Sequence, residues 1–578
     1  MPTLTWIGKN RVINHHQDVP YRVLEHKYGF RADDLTDKTP TNSGNKIIHG
    51  DNLEALKALL PEYEGKIKCI YIDPPYNTGN EKWVYNDNVN DPKIKKWLGE
   101  VVGKQGEDLS RHDKWLCMMY PRLKLLHKLL ADNGAIFISI DDNELINLQF
   151  ICNEIFGVNN YIKTFIWYNA EGHTDNQDLI THVHEYILCY AKNISKIHIQ
   201  NVVDPNIPLD SKILRNYAEN SITKNGDKNP PSIITLPQGF PCEIETLNLP
   251  SDNNAIAFYE ATKDSYITRQ ITKQYNMSYP VKLDNMIIRN GVLASECRVY
   301  TGWMNLNKLK TFIDNKCVPI QEKEGTTLRF FLSKRGVIYY RREGRKSHYI
   351  QSVLQKMGTT EKNKYLLEAM NIKFDYPKPL ELISYLISIF TEKDDIILDS
   401  FAGSGTTAHA ILNLNKKDTE HRKFILVEME DYAENITAER IRCVMHGYGK
   451  NKNATPGTGG SFDYYELGTS IFDKDKNLNE KVDEDKIREY IYYTETKQHL
   501  NRKRTEEAKY LLDNYNDTGF YFYYEREQLT TLGFDTLYIV TERAEQYVIY
   551  ADICTLSKED LTKRNIIFKK IPRDIKRF

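Results

Sequence analysis

With 578 residues, 40% hydrophobic and 27% charged, the chain is too long for one ordinary domain and too apolar for a disordered one; roughly 3–4 domains are expected at this length. A formal net charge of −1 neither demands nor excludes nucleic acid, which needs basic charge concentrated locally rather than a basic total. The nine cysteines are odd in number and contain no Cys-x-x-Cys pair, which argues against a disulfide framework or zinc and for reduced thiols. The first residues, MPTLTWIGKNRV, lack the apolar run of a signal peptide, and no apolar stretch approaches the about 18 residues of a membrane span. A soluble cytoplasmic protein is expected.

In chain order, residues 1–45 are polar and mixed, with short helices expected around Tyr21–Glu25. An α/β pattern follows. KIIHGDN (46–52) reads as a strand ending in a turn, LEALKALLPEY (53–63) as a helix, and KIKCIYID (66–73) as a buried strand. That strand must stop at Asp73-Pro74-Pro75, because proline cannot continue a central strand. Residues 77–112, rich in Gly, Asn and Asp, predict a long functional loop. A helix (114–132, with Pro121 at a break), a strand (135–142), a helix (143–156) and strands at 161–169 and 184–192 complete this part. From about 200 to 365 apolar runs shorten, which marks an inserted module. The α/β pattern then returns as a helix (379–390), a strand (394–401), a helix (406–415), a strand (423–429) and a helix (432–443). A Gly-rich stretch at 447–461 reads as a linker. Residues 462–578 read as a mixed terminal domain, helical at 480–514 and strand-like at 536–552. The resulting division is 1–200, 201–365, 366–450 and 451–578.

Two motifs carry chemistry. Asp73-Pro74-Pro75-Tyr76 ends a strand, where the working crevice of an open α/β sheet lies. An exocyclic amino group on a nucleobase is a poor nucleophile because its lone pair is delocalised. The Asp73 carboxylate and the Pro74 carbonyl can accept its two N–H bonds and free that lone pair, with proline holding the carbonyl rigidly. Tyr76 offers a face on which a base turned out of a duplex could stack. The second motif, Asp399-Ser400-Phe401-Ala402-Gly403-Ser404-Gly405-Thr406-Thr407, is a strand, a glycine turn and a helix start. It permits close approach of a ligand and offers a helix N-terminus to a carboxylate. No Gly-Lys-Ser/Thr follows, so it is not an ATP-binding P-loop. One strand later, Glu428 is placed to meet ribose hydroxyls. Either motif alone is equally a simple strand-ending turn; together, at strand ends of one sheet, they point to a shared site.

At these residues the chain resembles the amino-methyltransferases of DNA restriction–modification systems. The order, catalytic motif first with an inserted module before the glycine motif, resembles their beta group. Gly50-Asp51-Asn52, Asn77-Thr78-Gly79, Ser139-Ile140-Asp141-Asp142 and Phe374-Asp375-Tyr376-Pro377-Lys378-Pro379 extend the likeness. WIGKNRVINHHQDVPYRVLE near the start and GTGGSFDYYELG (457–468) resemble the modification subunit of type III systems. The resemblance covers roughly 1–195 and 365–470. It implies a Rossmann-like S-adenosylmethionine-dependent methyltransferase fold: a mostly parallel seven-stranded sheet, an inserted DNA target-recognition domain and a C-terminal α+β domain. It implies N6 methylation of a flipped-out adenine in double-stranded DNA, with Asp73, Pro74, Pro75 and Tyr76 at the target base. Asp51, Asn52, Lys378, Asp399, Phe401, Gly403, Gly405, Thr406 and Glu428 would surround S-adenosylmethionine, with Lys378 pairing with its carboxylate. A homodimer and a separate ATP-dependent restriction subunit are implied as partners, and no metal is.

For DNA contact the candidate is RFFLSKRGVIYYRREGRK (329–346), which holds Lys334, Arg335, Arg341, Arg342, Arg345 and Lys346 among aromatic residues. A basic surface hairpin without that role is the alternative. Cytosine-N4 methylation, an orphan adenine methyltransferase without a restriction partner, and a non-catalytic binding protein remain open as rival readings. An acidic first position with Tyr at the fourth leans toward adenine.

Overall fold

The computed structural model describes residues 3–78, 111–169, 182–208, 210–322, 325–344, 349–451 and 454–573. It divides into two compact units, one of Met1–Gln200 with Gln351–Phe578 and one of Asn201–Ile350.

The first unit is organised by a ten-stranded sheet. In chain order its strands are β1 (Arg22–Arg31), β2 (Lys46–His49), β3 (Ile67–Ile72), β4 (Leu130–Ile140), β5 (Tyr161–Tyr168), β6 (His184–Ala191), β7 (Val353–Leu354), β8 (Ile396–Asp399), β9 (Lys423–Glu428) and β10 (Ser461–Ser470). Their spatial order is β1-β10-β2-β9-β8-β3-β4-β6-β5-β7. Only β6 and β1 run against the rest. The continuous apolar run of β3 is buried along its whole length, as expected for a parallel strand covered on both faces.

Alternate side chains point to opposite faces. Ile48, Ile70, Ile72, Ile136, Ile138, Leu398, Ile425 and Val427 share a core with α1 (Asn52–Tyr63), α2 (Arg111–Leu129) and α3 (Leu145–Phe156). On the other face lie α4 (Leu380–Phe390) and α5 (Thr406–Asp418), which pack together. There Phe390 of α4 meets Phe137 of β4 with ring centroids 5.5 Å apart. Next in chain comes α6 (Glu439–His446), which packs on α5.

Several expectations are corrected here. Among the described residues the sheet has ten strands, not seven: β2-β9-β8-β3-β4-β6-β5 form the expected set, and β10, β1 and β7 extend its edges. The segment 22–31 is a strand rather than short helices, because it pairs along its length with β10. Residues 461–470, expected to open a separate domain, lie parallel to β2 inside the sheet. Residues 351–365 belong to this unit rather than to the insert, and Val353–Leu354 pair with β5. The helix expected over 480–514 is α7 (Glu484–Thr496), followed by β11 (Leu511–Tyr515). With β12 (Thr518–Phe522), β13 (Gln546–Ala551) and β14 (Ile566–Lys570) it makes a four-stranded sheet in chain order. Ile487, Ile491, Leu512, Phe520, Phe522 and Val548 form its core. The long loop expected at 77–112 falls largely outside the described residues. No helix among the described residues is long and apolar enough to cross a membrane.

The second unit is built from short antiparallel sheets. The largest pairs Ile320–Gln321, Thr327–Leu332, Ile338–Glu343 and Tyr217–Ser221 in that order. Its core holds Ile222, Phe240, Ile288, Val299, Phe312, Phe330 and Leu332.

Candidate active site

β3 and β8 are parallel neighbours, with Ile397 opposite Cys69 and Leu398 opposite Ile70, so their carboxyl ends rise side by side. The chain leaves β8 toward β9 on one side and β3 toward β4 on the other, which makes this gap the switch point where open α/β sheets bind ligands. Asp73 and Asp399 stand at the two strand ends and line one cleft with Phe374, Lys378, Phe401, Gly403, Ser404 and Thr406.

The turn after β3 is held by charge. Lys378, 8% exposed, places its Nζ 2.7 Å from Glu185 Oε2 and 3.4 Å from Asp73 Oδ1, and donates to Tyr76 Oη at 2.6 Å. Tyr76 Oη in turn donates to Glu185 Oε2 at 2.8 Å, and Asn169 donates to the other Glu185 oxygen at 3.1 Å. Burial pushes the Glu185 carboxyl up, but the Lys378 charge together with the hydrogen bonds from Lys378, Tyr76 and Asn169 outweighs it and the net shift is down. At Asp73 burial dominates; Lys378 only partly offsets it, and Asp73 stays above the usual carboxylate range. Burial pulls the Lys378 ammonium down, the two carboxylates more than reverse this, and its net shift is up. Glu185 thus takes the larger share of the ammonium, and Asp73 Oδ1 is left buried without a hydrogen bond of good geometry. Below it, Trp115 Nε1 donates to the Pro75 carbonyl at 2.6 Å. Asn77 takes a left-handed φ of 61°, and its amide is tied to the fully buried Glu144.

The turn after β8 is held mainly by backbone groups and hydroxyls. Asp399 Oδ1 accepts from Phe401 N at 3.0 Å and Oδ2 from Thr407 Oγ1 at 2.6 Å. Gly403 and Gly405 have φ of 54° and 80°, a region L side chains rarely adopt. Glu428, at the end of β9, accepts from Gly403 N at 2.7 Å and Glu430 N at 3.0 Å. Thr437 Oγ1 donates to the Gly403 carbonyl at 2.6 Å. Burial raises the carboxyls of Asp399 to about 7 and Glu428 to about 8.

Of the residues expected around a cofactor, Lys378, Asp399, Phe401, Gly403 and Thr406 line the cleft. Asp51, Asn52, Gly405 and Glu428 are not part of its lining. Asp51 caps α1 by accepting from Leu53 N and Glu54 N, and Asn52 donates to the Ser400 carbonyl at 3.3 Å. Two expected roles change. Lys378 is already neutralised by Glu185 and Asp73, so its ammonium is not free for a ligand's carboxylate. Tyr76 is only 6% exposed, and Lys378 Nζ covers its ring at 4.7 Å, so the face is not open to a base in this arrangement. Glu185, and Arg440, which donates to Ser404 Oγ and Thr406 Oγ1 at the second turn, were not expected here. Glu185 is an acid in an apolar strand, HEYILCYA. Because β6 is antiparallel, its first residues reach the carboxyl ends of its parallel neighbours.

In the second unit the expected DNA-contacting residues lie on the hairpin of 327–332 and 338–343. Lys334 and Arg335 are exposed at its turn. Arg341 and Arg342 are half-buried and paired with Glu219 and Glu322, so much of their charge is spent within the fold. Arg345 and Lys346 lie outside the described residues.

A family model described as DNA methylase matches residues 67–439. The chain belongs to this DNA methylase family. It is 31% identical over 481 residues to the type III restriction-modification enzyme EcoP15I Mod subunit of Escherichia coli, covering 77% of this chain and 66% of that protein. It is 30% identical over 418 residues to the type II methyltransferase M.KpnI of Klebsiella pneumoniae, covering 69% of this chain and 84% of that protein. Among solved structures, the M1.HpyAVI–SAM complex overlaps 68% of this chain and 97% of that one, with 13% identity and a TM-score of 0.28. The chain thus spans just under two thirds of the length of its E. coli type III relative.

Proposed function

We propose that this chain methylates the N6 amino group of an adenine turned out of duplex DNA, using S-adenosylmethionine, as the modification subunit of a type III restriction–modification system. The observation that carries the reading is the unsatisfied Asp73 Oδ1 in one cleft with the Gly403 turn. Membership of the DNA methylase family supports it, and the name of the E. coli relative supports the subunit and a separate restriction chain as partner.

The residues fit the methyl donor. Glycine backbone at positive φ allows close approach, Phe401 gives an apolar wall, and the start of α5 suits a carboxylate. Glu428 fixes the turn, and as a carboxyl raised to about 8 by burial it can offer ribose hydroxyls both an O–H donor and remaining acceptor lone pairs. The donor, when bound, supplies a methyl group already activated on a sulfonium.

The chain's own residues then do three things. Asp73 Oδ1 accepts one amine N–H and the Pro74 carbonyl the other, which draws the nitrogen lone pair out of conjugation. Asp73, Glu185 and Lys378 together carry a net charge of about −1 when all are ionised, which favours the positive charge developing on the amine nitrogen in a water-poor cleft. Asp73 Oδ1 is the atom that takes the departing amine proton. Base entry requires Lys378 to withdraw from the face of Tyr76, after which stacking offsets part of the cost of extrusion. In the second unit, Lys334 and Arg335 are the candidates for phosphate contact.

The test is chemical. Plasmid DNA incubated with the chain and S-adenosylmethionine, then digested to nucleosides, should contain N6-methyladenine. N4-methylcytosine instead would overturn the adenine assignment, and neither product would overturn the enzyme assignment.

A further inference from the structure

Arg440 on α6 is fully buried. Its Nη1 donates to Ser404 Oγ and Thr406 Oγ1, both at 2.8 Å. Its Nε and Nη2 lie 3.3 Å from His409 Nδ1. None of these partners offers a negative charge. His409 is held neutral, its pKa driven well down by burial and then by the guanidinium. Among the described residues no carboxylate forms an ion pair with Arg440. A cation removed from water without a counter-charge is strongly disfavoured. Burial accordingly brings the Arg440 guanidinium down to about 9.

The missing charge has a place to sit. Ser404 and Thr406 line the cleft. Both oxygens accept from Arg440 and lie 3.4 Å from each other, so at least one of the two O–H bonds remains available as a donor toward the cleft. Thr406 is also the first residue of α5, where helix N–H groups lack intrahelical partners. The cation that lines the cleft, Lys378, is committed to Glu185 and Asp73.

We propose that Arg440 is the positioning residue that supplies the counter-charge for the carboxylate at the amino-acid end of the methyl donor, acting through the hydroxyls of Ser404 and Thr406. The inference rests on the methyl-donor reading above and adds the charge that reading lacks once Lys378 is accounted for.

The test compares S-adenosylmethionine with its decarboxylated analogue, each titrated calorimetrically into the native chain, Arg440→Met and Arg440→Lys. Loss of a charge-assisted contact should weaken S-adenosylmethionine about tenfold or more in Arg440→Met. The analogue's affinity should not change, and Arg440→Lys should recover part of the loss. If Arg440→Met does not fold, the double variant Ser404→Ala with Thr406→Val cuts the same relay and should show the same loss of discrimination. Equal weakening of both ligands makes Arg440 a brace of the turn only and overturns the inference, as does no weakening of either. A native chain that binds neither ligand overturns the methyl-donor reading as well, while native binding followed by equal losses leaves that reading standing.

Discussion

At the Asp73 turn, the carboxylates of Asp73 and Glu185 both lie within 3.4 Å of Lys378 Nζ. At the Gly403 turn, by contrast, the contacts facing the ligand are backbone N–H groups, a carbonyl and hydroxyls, with two carboxyls that burial pushes toward neutrality, and the one cation, Arg440, stands behind the hydroxyls. The contrast matches two tasks. A turn that must steer a proton and a developing positive charge benefits from fixed charge that can shift its balance. A turn that must only seat a ligand benefits from glycine geometry and dipoles, with charge supplied from behind through Arg440 rather than at the reacting atoms. Substitutions at the first turn should therefore act on turnover, and substitutions at the second on ligand affinity.

The sharpest division comes from Asp73→Ala. It removes the acceptor and should lower methyl transfer by at least about 10²-fold, while S-adenosylmethionine still binds in calorimetry. Retained activity would break the role given to the first turn. Gly403→Val comes next. A branched side chain at φ 54° is strained by about 1–3 kcal/mol, so cofactor affinity should fall roughly tenfold or more. Normal affinity would remove the second turn from the cofactor site. Glu185→Gln leaves Lys378 to Asp73 alone, and the tighter ion pair takes up the acceptor. Turnover should drop roughly tenfold with cofactor affinity intact; a matching loss of affinity would show that the two turns are not separable.

Why the first turn was only half legible in the chain is a matter of strand direction. Asp73-Pro74-Pro75-Tyr76 announces itself because proline must end a buried strand. Glu185 gives no such sign: its place at the same end of the sheet follows from β6 being antiparallel, which no local pattern states. Arg440 sits among Ile441, Val444 and Met445 on a buried face of α6, so its only local mark is a charge at a core-facing position. In the fold, β3, β8 and β9 could be read from continuous apolar runs closed by Pro, Gly or an acid. The β1–β10 pair could not. Arg22 and Ser470 are partners, but β1 has no strong apolar face, and nothing near either segment reveals a partner so distant in the chain.

A smaller effect sharpens the contrast in electrostatics. Glu428 has a carboxyl pKa raised to about 8 by burial. A group whose folded pKa exceeds its unfolded value contributes its stability fully at low pH and loses it as pH rises through the folded value. Between about pH 5 and 8 the native chain should lose on the order of 1–3 kcal/mol relative to Glu428→Gln, read from denaturant midpoints. Parallel profiles would mean that Glu428 ionises normally. Smallest of all, Lys334→Ala with Arg335→Ala should weaken DNA binding uniformly across sequences and reduce the salt slope by about 2. An unchanged slope would place that hairpin away from the phosphates.

The central claim is that the two turns form one methyl-transfer site, and its most direct test is base-resolved methylation sequencing of DNA from cells expressing the chain alone. The expected result is N6-methyladenine at one fixed sequence motif, absent when Asp73→Ala is expressed in its place. DNA without any methylated base, or methylation that persists in Asp73→Ala, would contradict it.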